Sequence, residues 1–124
     1  MITGSEFISI INLQIRSKAF TVKLFDNASS RSLLAIMPMT LTMSELNGNE
    51  KYYQVPNRLP TNSQDVRTIK TGDLMLYGSD TLVLFYKSFT TPYSYTRLGY
   101  IEDASGLANA LGSGSAQVTF SLAP

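Results

Sequence analysis

The side chains that could do chemistry here are set first by what is missing. The 124 residues contain no histidine and no cysteine, which removes the commonest general base, the commonest metal ligand and every thiolate. Ser/His/Asp triads, Cys/His dyads and ordinary zinc sites are thereby excluded, and no metal or cofactor is expected. What remains is rich in rings, with seven tyrosines and six phenylalanines. Phe85, Tyr86, Phe89, Tyr93 and Tyr95 fall close together. Each offers contact area at low entropy cost, and the tyrosines add a polar tip. They can wall a site for a peptide or a flat small molecule, or they can be core and rim.

Charged candidates are sparser. Arg97 can meet a carboxylate or phosphate bidentately, or be a solvated strand residue. Asp73 follows Gly72 at a turn into a strand, where an Asx-turn competes with a general-base role. Asp73 and Asp80 stand at opposite ends of one hairpin, too far apart to form a carboxylate pair on it; Glu50, Glu102 and Asp103 are the other acids considered as partners. Lys87 reads as a snorkelling lysine in preference to a buried amine. Gly112-Ser113-Gly114-Ser115 follows a helix instead of preceding one, so it is a connector and not a phosphate cradle. Ten Lys/Arg against nine Asp/Glu give a net charge of +1. The cations are scattered singly, so nucleic acid is not an expected partner. No run of 18 apolar residues is present to span a membrane.

These side chains must be positioned by a chain that reads as mostly β. In residues 72–87 two apolar runs, 74–77 and 81–86, flank Gly78-Ser79-Asp80, a turn whose glycine can take the positive φ of a hairpin. Leu82, Leu84 and Tyr86 share one face and Val83 and Phe85 the other. Both faces are hydrophobic, so this hairpin belongs at the centre of the fold. Residues 8–15 and 19–25 predict an opening antiparallel hairpin. Asp26 or Asn27 then caps a short helix with Leu33, Leu34 and Met37 on one side, stopped by Pro38. Residues 39–44 and 51–55 form a hairpin about Asn47-Gly48, with Tyr52 and Tyr53 on opposite faces, one core and the other exposed or lining a groove. Residues 56–70 are a long loop whose only aliphatic side chains are Leu59, Val66 and Ile69, and 88–94 are a second loop. Residues 95–101 make a strand. A short helix with Leu107, Ala108 and Leu111 opens at Asp103 or Ser105 and ends at Gly112. Residues 116–122 close the chain as a strand. Eight strands joined mostly by hairpins favour a closed barrel, since closure removes exposed edges, with the two helices capping its ends.

The order of elements is similar to that of cyclophilins. Tyr95-Thr96-Arg97-Leu98-Gly99-Tyr100-Ile101, followed by Glu102, Asp103 and the helix with Gly106, Leu107 and Leu111, resembles the strand-then-helix close of that family. Gly72-Asp73-Leu74-Met75 and Leu82-Val83-Leu84-Phe85-Tyr86 resemble its central strands. Leu46-Asn47-Gly48-Asn49-Glu50-Lys51-Tyr52-Tyr53, with residues 72–78 and 93–99, looks like a group of small bacterial cyclophilin-like proteins of unassigned role. The resemblance covers residues 11–122 and implies a closed eight-stranded cyclophilin-like barrel capped by two short helices.

It also implies a groove, and a chemistry. In cyclophilins an arginine donates to the twisting proline amide and weakens the double-bond character that slows rotation. Aligning the prolines sets Lys51-Tyr52-Tyr53-Gln54-Val55-Pro56 against the arginine segment, and Tyr53 falls where the arginine would be. A phenol is a weaker donor of different reach. The histidine and tryptophan of the proline pocket have no counterpart, since the chain has neither residue type. The function implied is therefore a non-catalytic binding module for a peptide or small molecule. Its groove would be lined by Tyr53, Phe85, Tyr86, Tyr93, Tyr95 and Arg97 and bordered by the 56–70 loop. The alternative is a weak or divergent prolyl isomerase that uses Arg58 or Arg97. Tyr53 also reads as an ordinary strand residue, and Phe85 as core.

Residues 1–7 contain Gly-Ser-Glu-Phe, the translation of two adjacent cloning sites, and read as a vector remnant ahead of a single domain at 8–124. A secretion or lipoprotein signal could have stood there before, so the expected compartment is the cytoplasm or, with such a signal, a bacterial envelope. Nothing in the sequence speaks to oligomeric state.

Overall fold

A computed structural model describes residues 6–123. Of the stretch read as a vector remnant, residues 1–5 lie outside the described residues, whereas Phe7 opens the first strand and stacks on Phe25 at 5.5 Å. The elements are β1 (Phe7–Ile15), β2 (Lys18–Phe25), α1 (Ala28–Ala35), β3 (Met39–Leu46), β4 (Glu50–Gln54), β5 (Gln64–Asp65), β6 (Thr68–Ile69), β7 (Asp73–Tyr77), β8 (Thr81–Phe85), β9 (Phe89–Thr90), β10 (Ser94–Ile101), α2 (Leu107–Leu111) and β11 (Ala116–Leu122). The sheet runs β2-β1-β11-β3-β4-β8-β7-β10, and β10 pairs back onto β2. All eight strands are antiparallel to their neighbours, and the sheet closes into the expected barrel. β5, β6 and β9 fall inside the two segments read as loops: β5 extends the sheet beside β10, and β6 pairs with β9.

Alternate residues fill the interior. Leu13, Leu24, Met43, Leu76, Leu84, Leu98 and Phe120 are fully buried in one cluster, with Leu33 of α1 and Leu107 and Leu111 of α2 closing it. Asn27 caps α1 by accepting from the Ser30 amide at 2.8 Å, while its Nδ2 donates to the Arg97 carbonyl at 2.9 Å. Ser30 Oγ donates to the Leu98 carbonyl at 2.8 Å. One cap thus ends the helix and fastens it to β10. Closure depends on Gly99, because a Cβ there would meet the Lys23 carbonyl oxygen at 2.2 Å. Only a residue without one lets β2 come close enough to pair.

The barrel end near α2 is sealed by a charge. Lys51, opposite Leu84 on the inward face, has no exposed surface. Its ammonium donates to Glu45 Oε1 at 2.9 Å, to the Gly112 carbonyl at 2.8 Å and to the Gly114 carbonyl. Glu45 also accepts from Tyr86 Oη at 2.7 Å and from the Gly48 amide at 2.7 Å. The Tyr86 ring lies 5.4 Å from the Lys51 ammonium. Each donor on that amine has an acceptor, as a buried polar group requires.

Candidate functional site

A second apolar cluster lies outside the barrel wall. Residues paired across β4, β8 and β7 share a face, so Tyr52, Val83 and Met75 stand in one row and Glu50 and Phe85 in another. On this outer face Met75, Val83, Phe85 and Tyr95 pack against Val66 and Ile69 from the long loop, with Tyr52 and Phe89 at the margin. The hairpin at residues 72–87 is apolar on both sides because one side fills the barrel and the other carries this cluster. Leu59, the remaining aliphatic of the loop, is buried in the main core, and its amide donates to the Ser79 carbonyl at 2.7 Å. The loop is therefore pinned at three points.

The β6–β9 ribbon covers only part of the outer face and leaves a hollow on each side. The first is a cleft of about 390 Å³ whose lining includes Asn49, Glu50, Tyr52, Tyr77, Val83, Phe89, Thr91, Tyr93 and Tyr95. A chain of rings runs down into it. Tyr93 meets Tyr77 edge-on at 6.2 Å, Tyr77 meets Tyr95 at 5.6 Å, and Tyr95 meets Phe85 edge-on at 5.5 Å. Tyr93 and Tyr77 are 58% and 47% exposed, while Tyr95 is 5% exposed. Tyr93 and Tyr77 thus stand at the exposed end of the row and Tyr95 at its buried end.

Among the described residues Glu50 is the cleft's one charged side chain. It sits at the first position of β4, is 7% exposed, and no described group donates a hydrogen bond to its carboxylate. Burial, and after it the charge of Glu45, push its pKa up to about 6. Beside it Asn49 Oδ1 is buried with no partner among the described residues. The Glu50 charge is felt by Tyr95, whose hydroxyl is pushed above the usual phenol range by burial first and by Glu50 second.

The residues singled out from the sequence are distributed over several places. Tyr93 and Tyr95 line the cleft, and Phe85 lies fully buried beneath it against Tyr95 and Phe89. Tyr53 pairs with Leu82, and it and Tyr86 pack against the main core; burial and the hydrogen bond to Glu45 push the Tyr86 hydroxyl up to about 12. Arg97 lines the other hollow, about 560 Å³, with Lys70 and Asp73 among its neighbours. Arg58 is exposed on the long loop. Asp73 accepts from the Lys70 amide, three residues back, at 2.8 Å, a local turn contact that differs from the forward-reaching Asx-turn expected of it. Asp80 accepts from Gln54 Nε2 at 3.0 Å. Glu50, Tyr52 and Tyr77 are among the lining residues that the sequence alone did not assign to a groove. For Tyr52 the signal was present in the Tyr52/Tyr53 alternation, which needed the β4–β8 register to resolve it.

The barrel and its two capping helices define the class of protein. The cyclophilin-like family matches residues 13–121, and the chain belongs to that family. The solution structure of the hypothetical protein AF2241 from Archaeoglobus fulgidus superposes with a TM-score of 0.59 over 98% of this chain and 100% of its own, at 18% identity. That likeness is one of fold. No functionally curated protein matches the chain. No helix among the described residues is long and apolar enough to cross a membrane.

Proposed function

We propose that this cyclophilin-like barrel is a binding module that holds a small ligand, or a short peptide segment, in the outer-wall cleft. The observation that carries the reading is the cleft itself. Its volume of about 390 Å³ falls within the roughly 300–1,000 Å³ typical of small-molecule sites. It combines four tyrosine rings with a single buried acid, an apolar wall with few polar groups to set orientation. Tyr93, Tyr95 and, from below, Phe85 carry the part of the groove expected from the sequence. Prolyl isomerisation needs a strong donor over the proline amide, and neither Arg58 nor Arg97 lines this cleft; Arg97 lines the other hollow.

The test is a titration of short peptides and metabolites against protein with ring-labelled tyrosines. Tyr77, Tyr93 and Tyr95 are expected to shift, and Tyr53, on the core side, to stay. A broad library that moves none of the three overturns the reading. Exchange spectroscopy on a short Ala-Pro peptide at high protein concentration should show no acceleration; catalysis tracking protein concentration would restore the isomerase alternative.

A further inference from the structure

The cleft offers acceptors and no cation. Glu50 is 7% exposed and receives no hydrogen bond from the described residues, Asn49 Oδ1 beside it is buried without a partner among them, and none of them places a Lys or Arg in the walls. The lysine nearest in sequence, Lys51, points to the other side of β4, where Glu45 and two carbonyls use it. Glu45 therefore adds negative charge behind Glu50 while its own ion pair is already made. A buried carboxylate without a partner is costly, and the group that relieves it is a cation bearing several N–H donors. The tyrosine faces attract the same group, through the ring quadrupole.

We propose that the cleft takes a small ligand with a protonated primary amine on an aromatic body, its ammonium on Glu50 and its ring among Tyr77, Tyr93 and Tyr95. This rests on the reading of the cleft as a ligand site and gives that ligand a chemical class. An ammonium has three donors and no acceptor, matching a surface that presents acceptors. An anion would meet the charges of Glu50 and Glu45 together. A volume of about 390 Å³ suits one such amine better than several residues of extended peptide. Above a pH of about 6 the acid is ionised with no partner, so binding should weaken as the solution is acidified past that point. The titratable groups coupled to Glu50 are Glu45 of β3 and Tyr86, both from the other side of the wall, and Tyr95 in the cleft. The two phenols stay neutral in that range and Glu45 stays ionised beside Lys51, leaving Glu50 as the group that changes.

The test compares 2-phenylethylamine with 2-phenylethanol at pH 8, reading the labelled tyrosines of wild type and of Glu50→Gln. The amine is expected to bind at least tenfold more tightly than the alcohol. That preference should vanish in Glu50→Gln and, in wild type, at pH 5. Equal binding of the two compounds to wild type, or a preference that survives Glu50→Gln, overturns the amine assignment and leaves the cleft a ligand site. An N-acetyl-lysine amide that binds more tightly than the aromatic amine overturns it in favour of a peptide lysine. If neither compound shifts Tyr77, Tyr93 or Tyr95 but other library members do, the assignment fails alone. If nothing shifts them, it falls with the binding reading.

Discussion

Glu50 should cost the folded protein stability, and removing its charge should return that stability in a pH-dependent way. Its carboxyl is pushed from 4.5 to about 6 in the folded state. The folded protein therefore holds this proton more tightly than the unfolded chain does. The contribution is fully present below pH 4.5 and is lost as pH rises through 6. A difference of this size corresponds to about 2 kcal/mol at 1.36 kcal/mol per pH unit. The side chain lines a cleft, and solvent screening there reduces the figure to about 1 kcal/mol. Glu50→Gln keeps the shape and removes the ionisation. Urea denaturation at pH 8 should show the variant more stable than wild type by about 1 kcal/mol, and at pH 4, where both side chains are neutral in the fold, the two should coincide. A variant no more stable at pH 8, or equally stabilised at both pH values, would refute the argument that the acid is buried unpaired. The experiment also bears on function. A side chain that weakens the fold while lining a cleft is the kind of group a bound ligand would relieve.

Two further perturbations probe the frame that holds the cleft. Lys51→Met should destabilise the fold by about 3 kcal/mol, the low end for a broken buried pair. Glu45 is 27% exposed and keeps the Tyr86 and Gly48 donors, but the Gly112 and Gly114 carbonyls lose theirs. A loss below about 1 kcal/mol by urea denaturation would mean that water replaces the ammonium easily. Gly99→Ala places a Cβ 2.2 Å from the Lys23 carbonyl oxygen and should cost about 3 kcal/mol through backbone displacement. Amide exchange should speed up across the Gly99–Leu24 and Ile101–Val22 pairs, and an unchanged denaturation midpoint would refute the close approach.

The barrel was legible because each strand carried its own signal. Asn47-Gly48 marks a hairpin that takes φ of 57° and 67° at its two central residues, the type I′ geometry that favours this dipeptide. Asn27 is the cap that its residue type suggests, and the helix begins where it allows. Closure was legible only as an expectation from edge removal. The β2–β10 pairing joins residues about seventy-five apart in sequence, through Gly99↔Leu24 and its neighbours, and no local pattern encodes that partner. The short strands β5, β6 and β9 left no periodicity because two residues cannot show one. Leu59, Val66 and Ile69, the only aliphatic side chains of that loop, are all buried.

The cleft was harder to read for a reason specific to barrels. Alternation says which residues share a face, but when both faces are apolar it does not say which faces inward. Leu82 and Leu84 might have been the outer pair and Val83 and Phe85 the inner one. The inward choice goes to the row that continues through every strand, from Leu76 and Leu82 to Leu98 and Phe120, because only an unbroken apolar row can fill a closed interior. The outer row stops after β4, β8, β7 and β10, covering as much wall as the long loop can reach. Once that assignment is fixed, Tyr53 must follow Leu82 inward and Tyr52 must follow Val83 outward, and Glu50, two residues before Tyr52, must share its side. The acid reaches the cleft through the phase of a strand whose next residue, Lys51, has to point into the barrel to seal its end. A one-residue slip in β4 would exchange the two charges, setting a cation among the tyrosines and an acid against the Gly112 and Gly114 carbonyls, which have no proton to offer it.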